Sequence, residues 1–106
     1  MIYDFRVYTL KPGATPEYMA AVKEVALPVR QKYGVKLAGW YYTDVGKLNQ
    51  VVHIWAYRDH AHMKEAKAQV SSDPEWRSKY VPRMRGLVQS LEAYLMLSPD
   101  FAPQPA

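Results

Sequence analysis

The chain has 106 residues, 49% of them apolar and 23% charged, the composition of one globular domain with one core and no room for a second. It contains no cysteine, which excludes disulfide scaffolds, thiolate metal sites and thiol nucleophiles, and no apolar run approaches the roughly 18 residues of a membrane span. Fourteen basic residues against ten acids give a net charge of +4, but they are scattered, and the densest basic group, Lys79, Arg83 and Arg85, is short. A solvated basic face accounts for it, so neither nucleic acid nor membrane is an expected partner. The first residues, Met1 to Arg6, lack the basic start and apolar run of an export signal, and a cytoplasmic protein is expected.

Tyr3 to Thr9 alternates in period two with aromatic and β-branched residues, and Lys11-Pro12-Gly13 ends the run, predicting a strand over residues 2–10. Thr15 is the expected N-cap of a first helix, with Pro16 at its first position and Glu17 at its positive end. Tyr18, Val22, Val25, Val29 and Tyr33 then recur at helical spacing, a kink is expected near Pro28, and Gly34 supplies the left-handed exit. Val35 to Thr43 and Asn49 to Tyr57, joined by Asp44 to Leu48, read as a hairpin. Asp59 caps a second helix whose Met63, Ala66 and Val70 share one side. Asp73-Pro74-Glu75-Trp76 repeats the cap, proline, acid and aromatic of Thr15 to Tyr18 and opens a shorter third helix, loosening near Pro82. A last strand runs from Leu87 to Leu97, so the domain is expected over residues 1–98, with a proline-rich tail over 99–106.

This βαββαβ order is that of an α+β ferredoxin-like sandwich. Right-handed crossovers give a four-stranded, antiparallel-type sheet in the order 4-1-3-2, its central strands one and three expected side by side and parallel. Period two separates Phe5, Val7 and Thr9 from Asp4, Arg6 and Tyr8, and Val52, Ile54 and Ala56 from Val51, His53, Trp55 and Tyr57. In the last strand it separates Leu91, Ala93 and Leu95 from Ser90, Glu92 and Tyr94. The aliphatic sets suit packing under two helices. The aromatic and charged sets are then left on an open face, too apolar for water, and the simplest cover is a second copy: a homodimer with its sheets face to face.

Arg6 to Gly13, Leu27 to Arg30, Val45 to Tyr57 and the Asp73-Pro74-Glu75-Trp76 box resemble the NIPSNAP family over nearly the whole chain. The resemblance implies a dimeric α/β-barrel fold but supplies no catalytic set. Related barrels include cofactor-free monooxygenases of aromatic polyketides, haem-degrading enzymes and isomerases, an analogy of fold that does not fix function.

Arg6, His53 and Glu92, on neighbouring strands, are expected to form one polar cluster under the rings, doing acid–base work or binding an anion; a buried ion-pair network that only fixes register is the alternative. His53 is the best general base available. Tyr8, Trp55, Tyr57 and Tyr94 could wall a slot for a flat apolar ligand or simply pack a dimer core, Trp55 sitting at the sheet-to-sheet contact. Trp76 and Tyr18 are expected to brace helices. His60 and His62, two apart, diverge on a helix and make no metal site alone, and no glycine-rich phosphate loop or Gly-x-Ser-x-Gly is present, so no cofactor is indicated. Two functions follow: a small dimeric protein binding or processing an apolar or aromatic ligand in a barrel pocket without a bound cofactor, or a non-catalytic scaffold whose aromatic face serves only dimerisation.

Overall fold

The computed structural model describes residues 1–103. Strands β1 (Ile2–Leu10), β2 (Lys36–Tyr42), β3 (Gln50–Tyr57) and β4 (Val88–Met96) form one sheet in the order β2-β3-β1-β4, as expected. Every neighbouring pair is antiparallel, β1 with β3 included. The expectation of parallel central strands is therefore corrected. The β2–β3 hairpin reverses the chain between the two crossovers, so the parallel partners are β1 with β2 and β3 with β4, which are not neighbours.

The first crossover comprises α1 (Thr15–Ala21), a π-helical turn over Val22–Ala26, and α2 (Leu27–Lys32). Thr15 is not the cap: Ala14 takes that place without a side-chain hydrogen bond, and Thr15 and Pro16 open the helix. The irregularity expected at Pro28 lies one turn earlier. Pro28 has no N–H to give and its ring would strike the carbonyl four residues back; widening the preceding turn, so that Leu27 N–H reaches Val22 O, accommodates both. The second crossover repeats the device. After α3 (His60–Ser72), a π-helical turn over Trp76–Tyr80 carries Val81 N–H to Trp76 O just before Pro82, which stands in α4 (Val81–Arg85). Both aspartate caps form: Asp59 Oδ1 accepts from His62 N–H at 2.8 Å, and Asp73 Oδ1 from the N–H groups of Glu75 and Trp76 at 2.9 and 3.2 Å. Gly34 leaves α2 at φ 78°, the left-handed exit.

The two faces of the sheet are the reverse of those expected. Tyr8, Leu10 and Val51 pack under the helices with Tyr18, Ala21, Val22, Val25, Ala26 and Val29, and Trp55 and Tyr57 pack with Ala66. The reason is volume. Helix faces built of alanine and valine leave space that only rings on the sheet can fill. Phe5, Val7, Thr9, Val52 and Ile54 lie on the opposite, helix-free face. Strand β4 is also out of the expected phase: Phe5 pairs with Tyr94 and Val7 with Glu92, which puts Glu92 and Tyr94 on the open face, while Ala93 stands beside Arg6. Beyond β4, Leu97, Ser98, Pro99 and Pro103 line a groove of about 480 Å³ with Tyr3, Phe5 and Ile54 on this face. Residues 104–106 of the expected tail lie outside the described residues.

Candidate functional site

The polar residues of β1 and β3 lie beneath the helices and not on the open face. On β1, Arg6 Nε donates to Asp4 Oδ2 at 3.1 Å and Arg6 Nη1 donates to the Tyr8 hydroxyl at 3.0 Å. Asp4 also receives Lys67 Nζ from α3 at 3.1 Å. Burial works against the charge of Arg6, but Tyr8 and Asp4 outweigh it and hold the guanidinium more firmly protonated than usual. Arg6 therefore points under the helices, contrary to the expected arrangement.

His53 stands opposite Arg6 in the β1–β3 register and is buried. Its Nδ1 accepts the indole N–H of Trp55 at 2.7 Å. Burial, then the positive charges of Arg30 and Arg6, push its pKa down to about 3. The ring is thus neutral at pH 7, and because Nδ1 accepts, the proton is on Nε2, a buried donor with no partner among the described residues. The Tyr8 ring meets His53 edge-on at 4.6 Å and Trp40 stacks against it at 5.9 Å. In this arrangement His53 offers an N–H and no free lone pair, which is the opposite of what a general base needs.

Above this floor, α2, α3 and the Trp76–Tyr80 turn form a roof, and between them is a cavity of about 200 Å³ lined by Arg6, Arg30, Tyr57, Lys67, Val70, Ser71 and Trp76. Arg30 lies with its guanidinium carbon 4.2 Å from the Trp55 ring centre and 5.1 Å from that of Trp76. Burial raises the Tyr57 hydroxyl above its ordinary pKa, with Arg30 pulling in the other direction.

Of the residues expected to form a site, Arg6, His53, Tyr8, Trp55 and Tyr57 are brought together here. Glu92 and Tyr94 are not. They sit on β4 across the sheet, exposed, the Tyr94 hydroxyl donating to Glu92. Trp55 is inside the protomer, not at a sheet-to-sheet contact, and Trp76 is more than a brace because it lines the cavity. Arg30 and Lys67 were not singled out in the sequence, though spacing marked both. Arg30 falls four residues after Ala26, and Lys67 between Met63 and Val70 at four and three, so each lies on an apolar helix face.

A family model described as NIPSNAP matches residues 3–103. The mouse protein NipSnap homolog 3B is 30% identical over 79 residues, covering 74% of this chain and 32% of its own. The chain thus spans about a third of the length of that curated relative. Among solved structures, protein Atu4242 from Agrobacterium tumefaciens superposes with a TM-score of 0.91 at 32% identity, covering 97% of this chain and 98% of that one. A protein of the antibiotic biosynthesis monooxygenase type from Nitrosomonas europaea superposes with a TM-score of 0.70 at 9% identity, over 92% of this chain and 98% of the other, a likeness of fold alone.

Proposed function

The chain belongs to the NIPSNAP family, and from that premise we propose that it is a homodimeric protein that binds a small aromatic ligand between its sheet and its helices, without a bound cofactor. The observation that carries the ligand reading is the cavity walled by Tyr57 and Trp76 over charged groups, since ligand pockets combine apolar walls with a few convergent polar groups. Arg6 orients the ligand from the floor. His53 acts behind it, as a neutral donor that fixes Trp55 and so the stack beneath Arg30. Glu92, on the far face, has no part in this site.

The dimer reading keeps the face-to-face geometry but changes its residues. Phe5, Val7, Val52 and Ile54 on the open face, with Tyr41 at 61% and Tyr94 at 46% exposure, form an apolar surface that a second copy of the same face would cover. Sedimentation equilibrium is expected to give twice the 12.2 kDa chain mass for the wild type and a folded monomer for Ile54→Asp, whose carboxylate would have to be desolvated in the contact. A dimer that survives this substitution with unchanged dissociation constant removes the open face from the interface.

Calorimetric titration with a panel of monocyclic aromatic compounds tests the ligand reading. Binding is expected, and Trp76→Ala should weaken it about tenfold, or about 1.4 kcal/mol, without altering the dimer. If no aromatic compound binds at millimolar concentration, the scaffold function takes its place.

A further inference from the structure

Arg30 is 9% exposed, and its Nε is buried with no hydrogen-bond partner among the described residues. None of the ion pairs formed by the described residues includes it. The nearest acid of the floor, Asp4, is already committed, its Oδ2 lying 3.1 Å from both Arg6 Nε and Lys67 Nζ. The cavity is therefore lined by three cations, Arg6, Arg30 and Lys67, with one carboxylate between two of them. A buried guanidinium without a counter-ion is costly, and stacking over Trp55 and Trp76 recovers only part of the lost hydration.

We propose that the cleft takes an aromatic carboxylate, its carboxylate group held by the fork of Arg30 and its ring laid against Trp76. This rests on the ligand reading above and adds the charge. The chemistry fits the donor: a guanidinium offers parallel N–H groups that match the two oxygens of a carboxylate, and its positive charge is the one in the cleft that no protein acid answers. The space fits as well. About 200 Å³ equals the liquid volume of roughly seven waters at about 30 Å³ each, enough for one ring with its acid group. Asp4 serves as the brace that keeps Arg6 and Lys67 from closing on Arg30, so the surplus charge stays at the Trp76 end.

Calorimetric titration of the full chain with benzoate, its neutral counterpart benzamide, and inorganic phosphate tests this. Benzoate is expected to bind at least tenfold more tightly than benzamide and than phosphate. Arg30→Met should abolish the preference for benzoate and leave benzamide binding within threefold, while Lys47→Gln, a distant loss of the same charge, should change neither. Without ligand, Arg30→Met should melt no lower than the wild type, because it removes an unanswered charge. A melting temperature several degrees lower with the benzoate preference intact would make Arg30 a brace and overturn the proposal. If Arg30→Met does not fold, Arg30→Lys, which keeps the charge but loses the fork, should weaken benzoate about tenfold; unchanged affinity there also overturns it. Equal binding of benzoate and benzamide overturns the anion inference alone and leaves the aromatic cleft standing, whereas no binding of either overturns the ligand reading with it. Phosphate binding as tightly as benzoate overturns the aromatic part.

Discussion

Between pH 6.5 and 4.5 the stability of this protein should fall by about 1.4 kcal/mol for each pH unit because of His53 alone. Its folded pKa is about 3, depressed first by burial and then by Arg30 and Arg6, against about 6.5 in the unfolded chain. In that window the unfolded state binds one more proton than the native state, so acid favours unfolding; the loss is complete once pH drops below the folded pKa. Carried through the whole window the effect is on the order of 5 kcal/mol at most. Asp73 makes its own contribution only at lower pH. The Tyr33 hydroxyl, ahead of Lys32 and two backbone N–H groups and against burial, holds its pKa near 2, so what it adds persists above about pH 4 and disappears on the way down to pH 2. Urea unfolding at half-unit pH steps should show the His53 slope in the wild type and a much flatter line in His53→Gln, whose amide can still accept the Trp55 N–H. Equal slopes in the two proteins would mean that His53 titrates normally.

Trp55→Ala should cost about 3 to 5 kcal/mol, a large part of the roughly 5 to 15 kcal/mol that a domain of this size has to lose. Trp55 is 1% exposed. Its removal opens a cavity against Ile2, Val35 and Tyr57, frees His53 Nδ1 in a buried setting, and takes away the ring on which Arg30 rests. These losses share partners and will not simply add. Trp76, half-buried on the cavity wall, should cost less than half as much when truncated. Chemical denaturation of Trp55→Ala, Trp55→Phe and Trp76→Ala orders the three, and a Trp55→Ala variant as stable as Trp76→Ala would contradict the placement of Trp55 in the core.

The elements were readable because each carries its own local signal: alternation in β1 and β3, aspartates ahead of two helices, and a turn-rich stretch between β2 and β3. The order of the strands followed from connection rules. Which face the helices cover did not follow from period two, since Phe5, Val7, Val52 and Ile54 are as apolar as Tyr8, Val51 and Trp55. Parity separates two faces but does not label them. The label was available elsewhere, in Ala21, Val22, Val25, Ala26 and Val29, whose small side chains require large ones opposite. The same error carried Glu92 and Tyr94 into a cluster they do not join, because the phase of β4 is set by its pairing with β1 and not by its own composition. Arg6 and His53 were correctly found to be neighbours, while the neutral state of His53 depends on Arg30, which arrives from a helix.

The two π-helical turns make the spacing inside each crossover a matter of rotational phase. Each wide turn holds one residue more than an α-turn would, and everything after it is aimed accordingly. Deleting a single residue from Val22–Ala26 would shorten the helix by only about 1.5 Å, yet would swing Arg30 through about 100° about the helix axis. The guanidinium would leave Trp55, and Pro28 would lose the widened turn that accommodates it. Among chains that share this cleft, the count of residues from Pro16 to Arg30 is therefore under tighter constraint than the identity of the exposed side chains between them.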